Sequence, residues 1–275
     1  MPSFTLDVSN SAFGKPTNVL SGRLNGDEFV RGRGLSTLQF YNASRGLMPC
    51  WYFGLESEDL TESEPLMDQK QQYDGNLVVK GIIVDIIDHV SPHLASGTLP
   101  QACLELGGWT NDRPIDRVPD DLWRTLVADR GPDGKNAPPW YARACLHALQ
   151  RVTRNGDLEI SSQVLSSSTP ATIITFLERV KAVTWNRRLI KTNGVYTRDG
   201  GALLGLAPPK TKRGDIVAIL FGCSVPVVLR KHISEGREHY AFIGEAYVHG
   251  IMDGGAVARR DFSIPYENAE TFTLR

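Results

Sequence analysis

The sequence predicts a mixed α and β protein: a barrel-like β core drawn from both ends of the chain, with a helical segment inserted between. Three observations carry that expectation. Leu77 to Ile87 is a near-continuous run of β-branched residues, the pattern of a strand buried on both faces. Residues 118 to 188 hold apolar positions at helical spacing. After Trp185, short apolar runs recur between Gly and Pro breaks, the signature of strands that close into a barrel or sandwich. The 275 residues therefore divide into N-terminal strands with long loops over 1–117, a helical insertion over 118–188 and barrel strands over 189–275, read as one body.

Phe4 to Val8 and the pair Leu38–Tyr41 and Cys50–Phe53 have strand composition, and the acidic, Gln-rich Ser57 to Asp74 reads as an exposed loop. Asp85 interrupts the strongest strand and must find a hydrogen-bond donor if it is buried. Pro119 with Asp120 and Asp121 suits a helix start, and Leu122, Trp123, Leu126 and Val127 form its apolar face before Gly131. A second helix opens at Pro138-Pro139 and a third after Thr169-Pro170; Gly131 to Ala137 and Arg154 to Thr169 read as polar connectors. Strands are predicted over 190–197, 202–207, 215–221, 225–230 and 240–249, with turns at Asp199-Gly200-Gly201, Pro208 to Gly214 and Ser234 to Arg237.

Composition narrows the function. With 30 basic and 31 acidic residues the net charge is -1, which supplies no long-range attraction for a phosphate backbone, so nucleic acid is not an expected partner. Cys50, Cys103, Cys145 and Cys223 form no Cys-x-x-Cys pair, and neither a metal nor a disulfide framework is indicated. No stretch is apolar for long enough to span a bilayer, and the start lacks the basic and apolar regions of a signal peptide, so a cytoplasmic protein is expected. Phosphate-binding loops, a nucleophile elbow and His-Glu-x-x-His are all absent. The expected cofactor set is empty, and any catalysis would rest on side chains and shape.

Strand alternation places Glu245, Tyr247 and His249 on one face of the 240–249 strand, a base, a phenol and an imidazole that would line a cavity if that face looks into the barrel. The competing reading is a solvent face with Glu245 paired to Arg230, itself a candidate donor. Trp51, Tyr52, Trp123, Trp140, Trp185 and Tyr196 are candidate walls for a hydrophobic small molecule, should several meet at one opening. Arg187-Arg188 at a helix end and Asp129-Arg130 read first as capping or ion-pair residues.

The run Arg213 to Arg230, followed by Ile243-Gly244-Glu245-Ala246-Tyr247-Val248-His249-Gly250-Ile251-Met252-Asp253-Gly254, resembles the C-terminal region of fungal heterokaryon-incompatibility (HET) proteins. Arg187-Arg188-Leu189 with Gly205-Leu206-Ala207-Pro208, Trp123 to Leu126 with Asp129-Arg130, and Val79-Lys80-Gly81 with Asp85-Ile86-Ile87 match the same region in order. The resemblance spans roughly residues 77 to 255. In that family a preceding HET domain is the cell-death effector. This sequence starts at Met1 downstream of it and has no Trp-Gly dipeptide, so that activity is not expected here. Two functions follow. One is a barrel recruited as a cofactor-free biosynthetic enzyme, a cyclase, isomerase or Diels–Alderase acting on a hydrophobic terpenoid or polyketide. The other is a recognition or regulatory module of incompatibility without catalysis.

Overall fold

A computed structural model describes residues 41–45, 47, 51–55, 73–94, 97–110, 117–153, 155–197, 200–256 and 269–275, with the backbone alone for 51–55 and 73–74. Its elements in chain order are β1 (Trp51–Leu55), β2 (Tyr73–Val90), β3 (Thr98–Leu99), α1 (Gln101–Leu106), α2 (Asp120–Leu126) and α3 (Tyr141–Leu149). They continue with β4 (Leu158–Glu159), α4 (Ile160–Leu165), α5 (Ala171–Thr184), β5 (Arg188–Thr192), β6 (Leu204–Ala207) and β7 (Ile216–Leu220). The chain then forms β8 (Val227–Ser234), β9 (Arg237–Glu245), β10 (Tyr247–Val248) and β11 (Glu270–Leu274).

The 18-residue β2 is the spine of a mixed α and β fold. Its first half pairs with β1 and β11, and its second half with β7 and β5. From β11 the sheet runs through β9 and β8 to β7 and returns to β2, so the strands form a closed ring. A second circuit leaves β2 through β5, β6 and β10. Because β10 continues β9, and the Ala246 N–H donates to the Pro226 carbonyl at 2.8 Å, that circuit also returns to β8. The N-terminal part and residues 190–255 thus share one sheet.

Two closed circuits with a common wall explain why the shared strands are buried on both sides. Val217 and Ile219 of β7 enter one core with Ile82, Val84, Ile87, Ile190, Val228, Ala246 and Val248. Ile216, Ala218 and Leu220 face the other way, into a core with Val79, Ile83, Leu229, Phe272 and Leu274. Strand crowding at the wall demands glycine: a Cβ on Gly81 would lie 2.4 Å from the Ile219 carbonyl oxygen. At Asp85 the β2–β7 register shifts, and the fully buried carboxylate accepts hydrogen bonds from the N–H groups of Gly194 (2.7 Å) and Tyr196 (3.3 Å).

Helices α2, α3 and α5 form a layer over the outer side of β5, β6 and β10. Leu122, Trp123, Leu126, Tyr141, Phe176, Leu177 and Val180 share one core with Leu189, Leu206 and Tyr247. The β8–β9 hairpin turns through Glu235 and Gly236, both at positive φ (53° and 75°), as a two-residue hairpin loop requires. Among the described residues, no helix is long and apolar enough to cross a membrane.

Several local expectations change. The connector expected over Arg154 to Thr169 contains β4 and α4, and residues 101–106 form α1, elements too short to show a period. Tyr73 and Asp74 extend β2 rather than ending a loop. The C-terminal Glu270–Leu274 is a further strand, its alternation hidden among polar residues. Helix α2 stops at Leu126, because Ala128 and Asp129 take left-handed conformations (φ 52° and 49°) before Gly131 is reached. The strand expected over Phe4 to Val8 and most of the loop after Ser57 lie outside the described residues.

Candidate functional site

The strand that carries Tyr247 turns that side chain away from the barrel. Ala246 and Val248 occupy the interior, so Tyr247 points outward, toward the helix layer, where it is 1% exposed. The expected inward polar face is therefore corrected, and so is its alternative, a solvent face. The polar side chains sit in a seam between the barrel and the helices. That seam opens as a cleft of about 180 Å³ bordered by Tyr41, Asp129, Arg130, Tyr247, His249 and the turn from Gly250 to Gly255.

Alternation brings Tyr247 and His249 to one side of the chain, and the phenol hydroxyl lies 3.1 Å from Nδ1 of the imidazole. His249 Nε2 stands 3.5 Å from a carboxylate oxygen of Asp121, at the start of α2. A carboxylate, an imidazole and a phenol thus line up from the helix layer into the cleft. Burial pushes the Tyr247 phenol well above its ordinary range, with the nearby phenol of Tyr41 adding to the rise. The Tyr41 phenol is raised too, again by burial, although Arg130 and Arg179 pull it down. Both rings are therefore neutral donors at physiological pH. Tyr41 donates to the Ala128 carbonyl at 2.5 Å and meets Tyr247 edge to face.

Arg130 forms the other wall. The residue is 6% exposed, with its guanidinium 4.7 Å above the Tyr41 ring. Its Nη1 donates to the Asp129 carbonyl at 3.0 Å, and its Nη2 reaches both carboxylate oxygens of Asp253, at 3.1 and 2.9 Å. The Asp129 carboxylate is held 2.6 Å from Arg124, and Arg179 Nε donates to the Arg130 carbonyl at 2.9 Å. Ala128 and Asp129 are consecutive left-handed residues in the turn that leads from α2 to Arg130. Among the described residues no group of three or more potential metal ligands gathers, here or elsewhere.

The remaining sequence candidates are placed elsewhere. Glu245 meets Arg187 at 2.9 Å in a buried ion pair, and Arg187 also donates to the Val183 carbonyl at the end of α5. Arg230 pairs with Asp215 at 2.8 Å and reaches the Lys210 carbonyl, so its expected partnership with Glu245 does not form. Among the described side chains, the aromatic candidates do not converge. Trp123 is buried in the helical core, and Trp140 is 40% exposed against Tyr141. Trp185 borders a separate small hollow with Leu94 and Ile160, and Tyr196 is 43% exposed. The side chains of Trp51 and Tyr52 lie outside the described residues. Conversely, the sequence does not mark Tyr41 or Asp253 as candidates, and it marks Arg130 only as an ion-pair or helix-end residue. Arg130 and Asp253 both fall in segments that carry the resemblance; Tyr41 comes from far upstream and leaves no local signal.

Comparison with known proteins meets this geometry at the barrel. Residues 172–264 match the Het-6 beta-barrel domain. Heterokaryon incompatibility protein 6, OR allele, of Neurospora crassa is 37% identical over 70 residues, covering 24% of this chain. The chain matches only 10% of that protein's length. No solved structure matches. Strands β5 to β10 and the 247–255 side of the cleft therefore lie within the matched stretch, whereas β1, β2 and β11 lie outside it.

Proposed function

We propose that this chain is a recognition and regulatory module of the heterokaryon-incompatibility type, which reads a partner through the cleft between barrel and helices. One observation carries the reading: six of the nine cleft residues, Tyr247, His249, Gly250, Met252, Asp253 and Gly255, come from the matched stretch 172–264. The cleft's size favours it as well. About 180 Å³ is below the roughly 300–1,000 Å³ of a pocket that engulfs a drug-sized ligand, and charged and phenolic groups line it. Such a cleft suits a single polar group presented by a partner better than a terpenoid skeleton.

The Asp121, His249 and Tyr247 line favours a second reading, a cofactor-free enzyme in which Tyr247 donates to a substrate carbonyl and His249 orients it. In that role Glu245 and Arg230 keep structural positions.

Transformation of a Neurospora crassa strain carrying the OR allele tests the first reading. The intact chain is expected to lower the yield of viable transformants, and Tyr247→Ala or Arg130→Gln, with folding checked by circular dichroism, to restore it. Equal yields for the intact chain, both variants and an empty vector would sink the incompatibility role. New products from terpenoid or polyketide intermediates, seen by mass spectrometry and lost in Tyr247→Phe, would install the enzyme instead.

A further inference from the structure

The geometry points to Arg130 as a carboxylate-binding centre whose present occupant is the chain's own Asp253, and we propose that a ligand carboxylate enters the cleft by displacing it. The inference rests on reading the cleft as a recognition site. It adds the chemistry of what is recognised and an internal competitor.

The guanidinium is fixed before any ligand arrives. It lies against the Tyr41 ring, donates to the Asp129 carbonyl, and its own backbone carbonyl is tied down by Arg179. A cation this deeply buried requires an anion beside it, since removing one partner leaves an uncompensated charge. Asp253 fills that need from the surface: the Arg130 side chain is 8% exposed and that of Asp253 61%. Both carboxylate oxygens share the single Nη2, at 3.1 and 2.9 Å, rather than engaging two nitrogens in a parallel fork.

Exchange needs only a side-chain rotation. Ile251 and Met252 are 1% and 4% exposed, and the Met252 carbonyl accepts the Asn42 N–H at 3.0 Å, so the turn's backbone stays anchored while Asp253 swings into water. The space beside the guanidinium, walled by Tyr247, His249 and Gly250, holds a carboxylate with a short stem. The Asp129 carboxylate does not compete, because Arg124 holds it at 2.6 Å. The Tyr247 hydroxyl, 3.1 Å from His249 Nδ1, belongs to the same wall, so an incoming carboxylate enters beside a polar pair rather than an apolar surface. A small organic acid and the C-terminal carboxylate of a peptide offer the same group.

The test titrates the full chain, labelled with nitrogen-15, with acetate, with N-acetyl-alanine and with neutral N-acetyl-alanine amide, following the arginine Nε–H resonances and the heat of binding. Both acids are expected to bind saturably and the amide not at all. A preference for N-acetyl-alanine identifies a peptide terminus as the source, and a preference for acetate a small acid. Asp253→Asn, which removes the competitor, should tighten binding by roughly three- to tenfold, the scale of a half-exposed ion pair. Arg130→Gln should abolish binding; if that variant does not fold, Arg130→Lys keeps the charge without the fork and should weaken it. Equal affinities for the intact chain and Asp253→Asn, or an amide that binds as well as the acids, would overturn the proposal. Carboxylate binding alongside unaffected transformants would leave this site standing and remove the incompatibility role. A transformant response without carboxylate binding would do the reverse.

Discussion

Ala246 and Val248 face the barrel interior while Tyr247, between them, faces the helices, so one short strand serves two regions of opposite chemistry. The interior is filled mainly by aliphatic side chains, with Phe221, Tyr240 and Phe272 among them, and holds its shape by close approach of strands. The seam is held by buried charges and phenols, each positioned by a partner: Arg187 with Glu245, Arg130 with Asp253, and Tyr247 with His249. Apolar contacts tolerate adjustment and have no preferred partner. Buried polar groups have few acceptable partners, so the seam is where a ligand can be chosen and where an error is costly.

The largest expected effect strikes the seam. Arg187→Ala leaves Glu245 without its buried cation and should lower the unfolding free energy by about 3–5 kcal/mol in denaturant titration. Combining Arg187→Met with Glu245→Leu should avoid most of that loss, as apolar replacement of both partners usually does. If the single variant costs no more than an exposed pair, the seam is not a rigid region.

The matching interior test is Ile82→Ala, a residue 1% exposed, which should cost about 2–5 kcal/mol through lost burial and the cavity left behind. Gly81→Ala, pressed against the Ile219 carbonyl, should cost about 1–3 kcal/mol, and a neutral result would show that the two circuits do not share the close wall seen between β2 and β7.

Tyr247→Phe sharpens the comparison through pH. The folded state holds this phenol neutral above its ordinary value of 10.0, whereas the unfolded chain ionises there. The stability from this rise is complete below pH 10 and declines as pH climbs toward the folded value, by at most about 1.4 kcal/mol per unit. Tyr247→Phe should therefore cost about 1 kcal/mol at pH 7 and show a shallower alkaline loss than the intact chain. Parallel alkaline curves would show that this phenol is not withdrawn from water. The smallest effect belongs to the surface: Arg213→Ala breaks an ion pair whose arginine is 78% exposed, and a change above about 1 kcal/mol, or one that persists in 1 M salt, would contradict the assignment.

Much of the fold was legible because it is written in local periodicity. The β-branched run at Leu77 to Ile87 is buried on both faces, the need of Asp85 for donors is met by Gly194 and Tyr196, and Pro119, Pro138-Pro139 and Pro170 mark the starts of three helices. The closeness of Tyr247 and His249 also follows from the two-residue repeat of a strand. A repeat assigns side chains to two faces and is silent about what lies against each. That layer is supplied by residues distant in the chain, and it decided that Tyr247 meets helices rather than a barrel lumen. The same limit hid Tyr41 behind Arg130, Arg187 behind Glu245, and Asp253 as the partner of a buried guanidinium, because charge pairing across 123 positions depends on the assembled chain. Sequence by itself determined the strands, the helices and the faces; tertiary structure decided which faces meet, since only the closed circuits and the helices laid over them convert a polar stripe into a cleft with an occupied cation.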